Sequence, residues 1–288
     1  MKKALPIAIV VAALFAVWYL AAVLMNAPLQ RDAFANAGRA DYSTAELIGA
    51  SLNMERPKLP APHQIVAELN KLILATPPTS KRSLVFHATI TLEETVIGFF
   101  FGATLGVALA VLVMSVRSLE RSLMPWVVAS QTIPIIALAP MIVVILNQFN
   151  ITGLAPKAVI AAYLSFFPIT VGMVKGFRSP DPLQLDLLRT YSATPAQTFL
   201  KLRAPASAPF FFASMKIGAA AALVGAVVAE VTKSEDGGLG ARLLAGSYYG
   251  QTVQIWAALL TAAALSAALV AVIGLVGRIV LQRMAFTS

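Results

Sequence analysis

The chain has 288 residues, 58% of them hydrophobic and 12% charged. A soluble domain carries about 25% charged residues, so this composition excludes a soluble fold and places the chain in lipid. The lack of cysteine excludes disulfides, thiolate metal sites and cysteine nucleophiles, and two histidines, His63 and His87, are too few for a histidine metal centre.

Crossing the hydrocarbon of a bilayer takes about 20 apolar residues in a helix. Uncharged runs of that order occupy 5–25, 96–116, 122–146, 158–174 and 253–276. A further run, 210–229, contains only Lys216, whose long stem can snorkel to an interface. Helices satisfy their own backbone groups in lipid. The expected fold class is therefore an all-α integral membrane protein with six transmembrane helices. The first run follows Lys2 and Lys3 like a signal peptide, but it is longer than an h-region and no small-x-small cleavage site follows. We read 1–25 as an uncleaved membrane anchor.

Segment 26–95 is a separate, extramembrane piece. Pro57, Pro60, Pro62, Pro77 and Pro78 supply turns, and between them Ile65, Leu69, Leu72 and Ile73 recur at helical spacing. The spacing predicts a short amphipathic helix over 63–75, lying on the membrane or packed over the bundle. His63 reads as an exposed first-turn residue. Glu93 and Glu94 read as the wetted start of the second span.

Orientation follows from basic residues in short loops. With the N-terminus cytoplasmic, twelve basic residues fall inside: Lys2, Lys3, Arg117, Arg121, Lys175, Arg178, Arg189, Lys201, Arg203, Lys216, Arg278 and Arg283. The short outer loops hold Lys157, Lys233 and Arg242. The only acidic residues inside are Glu120, Asp181 and Asp186, so the net charge of +9 sits on the cytoplasmic face. Both termini are then cytoplasmic, 26–95 is periplasmic, and 277–288 is a cytoplasmic tail. Topology and anionic lipid headgroups account for the charge, and no nucleic-acid partner is needed.

The cytoplasmic loop 175–209 is dense in start signals. In Ser179-Pro180-Asp181-Pro182, Asp181 reads as an N-cap and Pro182 as the first helical residue. Leu183, Leu187, Leu188 and Tyr191 then share one side of a short helix. Thr194-Pro195-Ala196-Gln197 reads as a second start with a capping-box glutamine. Phe199, Leu200 and Leu202 give that helix an apolar side, and Pro205 and Pro209 end it. These apolar faces need cover, from the protein's own membrane helices or from a cytoplasmic partner.

This loop resembles the cytoplasmic coupling motif of ABC importer permeases, in which an acidic residue and small residues precede a glycine and a proline follows after a fixed gap. Asp186 stands where that family usually has glutamate, Ser192 stands where it usually has glycine, and Ala204-Pro205 matches the closing apolar-proline pair. Gly225-Ala226-Val227-Val228-Ala229-Glu230 and Gly237-Gly238-Leu239-Gly240 also look like the family. Leu59-Pro60-Ala61-Pro62, Gly98-Phe99, Pro125, Ile133-Pro134 and Pro140 fit its nitrate/sulfonate/taurine branch. Tyr191-Ser192 resembles relatives linked to pyrimidine-type vitamin precursors. The resemblance runs from about 59 to 275. Ser192 puts a side chain where a helix end is expected to need φ > 0, at a cost in strain.

The resemblance implies a type I importer permease with its membrane core at 96–276. It implies that Asp186, Leu187, Leu188, Arg189, Thr190, Tyr191, Ser192, Ala193 and Pro205 couple to the ATPase. The implied partners are an ABC ATPase dimer, a second copy of the permease, a periplasmic or lipid-anchored solute-binding protein and the bilayer. The cargo is then a small sulfonate, nitrate, taurine or pyrimidine-precursor solute. No G-x-x-x-x-G-K-[ST] phosphate loop is present, so ATP and Mg are used by the partner and no cofactor is bound by this chain. The chain is not itself an enzyme on this reading, and it has no catalytic residue and no metal.

Gln131, Thr132, Pro134 and Pro140 mark a helix break near mid-membrane, where irregular backbone is tolerated if buried or lining a cavity. They read as translocation-pathway lining, or as a kink with Gln131 bonded to a neighbouring helix. Glu230, at the outer end of the fifth span, is a pathway or gate candidate or a headgroup-solvated residue. Gly98, Gly102, Gly106 and Ala110 form a small-residue ridge for intramolecular packing or a dimer seam. The competing reading is a stand-alone secondary carrier or channel. It needs ionisable residues buried within the spans, and only Lys216 and Glu230, near the edges, offer themselves. A membrane-embedded enzyme finds no H-E-x-x-H, paired intramembrane aspartates or G-x-S-x-G.

Overall fold

The computed structural model describes residues 4–39 and 41–286, and all regular structure among them is helical. Lys2 and Lys3 lie outside the described residues. The chain divides into two compact units, one made of the residues up to His87 with Ala241–Thr261, the other of Ala88–Gly240 with the residues from Ala262 onward.

In the first unit, α1 spans Ala4–Asn36. At about 1.5 Å per residue it is about 50 Å long, well beyond the predicted run 5–25 and beyond the hydrocarbon. Its C-terminus closes on Gly38 at φ +70°, with Arg39 N–H donating to the Phe34 carbonyl (2.9 Å), as a Schellman end requires. Helix α2 (Thr44–Leu52), not foreseen from the spacing, starts on a Ser43–Glu46 capping box. Helix α3 (Pro62–Asn70) continues through a π-helical turn at Lys71–Ala75, so the amphipathic stretch predicted over 63–75 is present. Ile65 and Leu72 are buried there and His63 is exposed beside Tyr19.

Asn26 ties this unit together. It is fully buried within α1, donating to the carbonyls of Ser51 (3.2 Å) and Leu59 (2.8 Å). Its side-chain oxygen accepts from the backbone of Lys58 (2.8 Å) and Leu59 (3.2 Å). A buried amide is tolerable because both its ends are satisfied. Trp18 adds an indole bond to the Pro60 carbonyl (3.1 Å) and rests against Trp256.

The second unit takes most of α4 (Leu84–Ser115), then α5 (Arg117–Ala129) with a 3-10 turn at Ser130–Thr132, α6 (Ile135–Gln148), and α7 (Leu154–Phe177). Short α8 (Pro182–Thr190), α9 (Pro195–Thr198, prolonged by a π turn at Phe199–Arg203) and α10 (Ala204–Ala206) precede α11 (Ala208–Thr232). Of α12 (Leu239–Tyr248) this unit takes only Leu239 and Gly240, and of α13 (Thr252–Phe286) the part from Ala262 onward.

Helix α4 begins about three turns before the predicted span, which carries Glu93 and Glu94 into the helix. Glu93 is exposed, but Glu94 is buried, correcting its reading as a wetted helix start.

The core of this unit is α7. A Cβ on Gly98, Gly102 or Gly106 would run into Ala158, Ala161, Ala162, Ser165 or Phe166 of α7, so the α4 ridge is an intramolecular seam. On another side Gly225 and Gly218 of α11 meet Ala161 and Ile169, and Gly172 of α7 meets Ser214. Ala161, Ala222 and Ala226 are buried at that seam. Small residues let helices approach to backbone contact where no hydrophobic effect drives association in lipid.

Among the described residues, five helices are long and apolar enough to cross a membrane: α1, α4, α7, α11 and α13. The expected third span, 122–146, is not one straight helix. Its limbs, Arg117–Thr132 and Ile135–Gln148, meet at 103°. Counting that bent pair as one span gives six. Ile133 and Pro134 are extended, at ψ 121° and 117°, because proline has no N–H for the ladder and disfavours helix in its predecessor.

Gly102→Val should overfill the α4–α7 seam and lower stability by roughly 1–3 kcal/mol. Thermal unfolding of the detergent-purified protein, followed by loss of the monodisperse peak, measures it. An unchanged midpoint would refute the seam.

Candidate functional site

Three regions of the second unit carry polar or uncovered residues in a built arrangement. The first is the loop after α7. Asp181 caps α8, its carboxylate accepting from Leu183 N–H (2.8 Å), and Pro182 takes the first helical position. Helix α8 ends at Tyr191, and Ser192 has φ +56°. Ser192 N–H donates to the Arg189 carbonyl (2.9 Å) and Ala193 N–H to the Leu188 carbonyl (3.0 Å). This is the Schellman pair, built on serine where glycine would be unstrained. The left-handed conformation expected at Ser192 is therefore present.

Thr194 and Gln197 complete the capping box of α9: Gln197 N–H donates to Thr194 Oγ1 (3.3 Å) and Thr194 N–H to Gln197 Oε1 (2.8 Å). The apolar residues of the two helices have different fates. Phe199 packs on Phe177 at the end of α7 (5.0 Å between rings), and Arg203 donates to the Phe177 carbonyl (2.7 Å). Leu183, Leu187, Tyr191 and Leu200 remain 77%, 56%, 76% and 67% exposed. Asp186 pairs with Arg189 (2.9 Å) on the open surface, an arrangement that contributes little to stability. Thr190 bonds back to the Leu187 carbonyl (2.7 Å), Leu188 and Ala193 are half-buried, and Pro205 is exposed within α10.

The second region is the break between α5 and α6. Leu123 and Met124 of α5 pack with Met173, Val174 and Phe177 near the C-terminal end of α7. Tyr163, in the N-terminal half of α7, donates its hydroxyl to the Ser130 carbonyl. Helix α6 packs Ala139 and Val143 against Ile160 and Ala229. The break therefore sits level with Tyr163, about 14 Å from the N-terminal end of α7 at 1.5 Å per residue. Gln131 is exposed there, with Pro134 beside it, and Thr132 satisfies its hydroxyl on the Ala129 carbonyl (2.7 Å).

The third region is a buried polar cluster at the N-terminal end of α7. Lys157 is fully buried, 2.9 Å from Glu94 and 3.5 Å from Asp236. Asp236 also meets Lys233 (3.8 Å). Glu230 is fully buried and faces Glu94. Glu230 accepts from the Thr91 hydroxyl (2.5 Å) and from Gly240 N–H (2.6 Å), and Thr91 Oγ1 accepts from Leu239 N–H (2.9 Å). At the start of α12, Gly240 N–H thus holds the carboxylate directly and Leu239 N–H holds it through Thr91, at a helix N-terminus, where anions are favoured. Gly238 stands at φ +107°, and a Cβ there would strike the Glu230 carboxylate, so position 238 has no room for a side chain.

This cluster corrects two expectations. Glu230 is not a headgroup-solvated residue, and Lys157 is not a loop charge. Glu94 and Lys157 also overturn the statement that only Lys216 and Glu230 are ionisable groups associated with the spans. The signal was present in the sequence as opposite charges, Glu94 and Lys157, just outside two spans at matching expected depth. Among the described residues no group of histidine or acidic side chains is disposed to hold a metal ion.

Residues 102–286 match the family model of the binding-protein-dependent transport system inner membrane component. The chain is 32% identical over 213 residues to a probable ABC transporter permease protein of Haemophilus influenzae, covering 70% of this chain and 85% of that one. It is 34% identical over 179 residues to a formylaminopyrimidine transport permease of Halalkalibacterium halodurans, covering 62% and 67%. It is 25% identical over 215 residues to a putative aliphatic sulfonates transport permease of Bacillus subtilis, covering 75% and 74%. Among solved structures, a chain of the inward-facing methionine ABC transporter MetNI aligns at TM-score 0.58 and 21% identity, over 70% of this chain and 95% of that one.

Lys157→Met should leave Glu94 buried without its cation, costing about 3–5 kcal/mol. The pair Glu94→Gln with Lys157→Met should recover most of it. Unfolding midpoints of the three purified proteins decide, and equal midpoints for the single variant and the parent would refute the buried pair. Ser192→Gly should stabilise the end of α8 by roughly 1 kcal/mol, read as slower proteolytic cleavage in 190–194.

Proposed function

Because the chain belongs to the family of binding-protein-dependent transport system inner membrane components, a multi-span permease family of the bacterial inner membrane, we propose that α8 and α9 form the docking face for a separate ABC ATPase. The observation that carries this is the uncovered apolar set Leu183, Leu187, Tyr191 and Leu200 on two firmly capped helices. Caps make the helices stiff, and an apolar surface held stiffly in water fits a partner's groove. Phe199 and Arg203 fasten α9 to the end of α7, so a displacement of the docked face bears on the membrane core.

In this reading the permease pairs with a second copy, a solute-binding protein delivers cargo from outside, and the N-terminus is cytoplasmic. ATP and Mg belong to the ATPase. Gln131, Thr132 and Pro134 line the pathway at the break, and Glu230 positions the outer turn rather than meeting cargo. The cargo is a small solute of the sulfonate, nitrate, taurine or pyrimidine-precursor kind. A pyrimidine precursor is favoured by the 34% identity to the formylaminopyrimidine permease and by Tyr191-Ser192.

The stand-alone carrier keeps one supporting observation, the buried Glu94–Lys157–Glu230 cluster. Against it, Lys157 is paired with Glu94 and Asp236, and Glu230 is held by Thr91 and Gly240 at the turn before α12.

Asp186→Arg with Tyr191→Arg should cut co-purification of the cognate ATPase by about thirtyfold, the loss expected from one buried aromatic anchor worth about 2 kcal/mol. ATP-dependent uptake into vesicles should fall with it. Undiminished association and uptake would sink the docking assignment. Uptake by the isolated protein without ATP would favour the carrier.

A further inference from the structure

Helices α11 and α13 leave a cleft of about 270 Å³ between them, bordered by Phe212, Ala213, Lys216, Gly274, Arg278 and Leu281. Gly274 is the floor under Lys216: a Cβ there would stand 3.2 Å from Cε and 3.3 Å from Nζ. Gly277 lets α13 press against the Phe212 ring. Lys216 is half-buried and about 12 Å from the start of α11, counting 1.5 Å per residue.

A cation at that depth is stabilised by an anion beside it. The acids on the α8 side of this unit are already engaged: Glu120 bonds Arg178, Asp186 bonds Arg189 and Asp181 caps α8. Neither Lys216 nor Arg278 has an acidic partner among the described residues. Outside the cleft, α13 exposes Val272, Leu275, Val276 and Ile279, a surface for hydrocarbon and not for water.

A ligand suited to this place has an anionic head and apolar tails. We propose that the α11–α13 cleft binds the phosphate of an anionic phospholipid between Lys216 and Arg278, with the acyl chains lying along α13. Basic pockets between membrane helices on the cytoplasmic side suit such headgroups. The orientation expected from the basic residues puts this cleft on that side.

The test is native mass spectrometry of the full chain in mild detergent, with phosphatidylglycerol and phosphatidylcholine of matched chains at equal concentration. The parent should retain phosphatidylglycerol preferentially. Lys216→Ala and Arg278→Ala should each weaken its retention about fivefold. Gly274→Val should weaken it with both charges kept, and Lys216→Arg should preserve it. Phosphatidylcholine retention should not change. If Lys216→Ala fails to fold, by circular dichroism and elution profile, Gly274→Val and Lys216→Arg decide the matter. Unchanged phosphatidylglycerol binding in Gly274→Val, or equal retention of the two lipids by the parent, overturns the proposal. So does displacement of the lipid by inorganic phosphate at constant ionic strength, which would assign the cleft to a soluble anion.

Discussion

Helix α7 is approached at backbone contact by α4 on one side and α11 on another. Glycine, alanine and serine at the meeting points make that approach possible: Gly98, Gly102 and Gly106 on α4, Gly172 on α7, Gly218 and Gly225 on α11. In lipid there is no gain from hiding apolar surface from water, so close packing and internal polar bonds must hold helices together. The other features of the second unit are built around this central helix.

The two ends of α7 then take different chemistry. At its N-terminal end, Lys157 meets Glu94 and Asp236, and Glu230 with Thr91 fastens the glycine turn before α12. A buried ion pair is poor evidence of net stability, because desolvation offsets most of the attraction. The pair forms in the register of α4 against α7 that brings Glu94 to Lys157. At the C-terminal end, Phe177 receives Phe199, and the α8–α9 surface projects beyond it. In the proposed importer, α7 is the rigid element joining the docked surface to the clamped outer turn.

The broken limb between them shows how irregular backbone is accommodated at membrane depth. Tyr163 supplies a donor to the Ser130 carbonyl, and Ser130 and Thr132 turn their hydroxyls back onto their own helix. Gln131 is left with an exposed amide where the limbs turn by 103°. A fold that needed only to cross the bilayer would not require such a turn.

Much was legible in the sequence because its causes are local. Apolar run length set the helical membrane class. Side-chain caps act within a few residues, so Asp181, Thr194 and Gln197 could be assigned from spacing, whereas the positive φ at Ser192 was expected from the resemblance, in which a glycine usually stands there. The family was also legible in the order of short motifs. Helix ends were not, since polar residues such as Glu94 continue a helix whenever a partner is waiting, and α1 runs on past its apolar stretch. Tertiary structure alone decided that Lys157 and Glu94 are buried together. Charge in a sequence carries no depth, and a residue counted as a loop cation becomes a core residue once another helix brings it a carboxylate. The same holds for Glu230, whose position at a span end was plain from the sequence, but whose burial depended on Thr91 arriving from a distant part of the chain and on the turn that brings the N-terminus of α12 back onto the carboxylate.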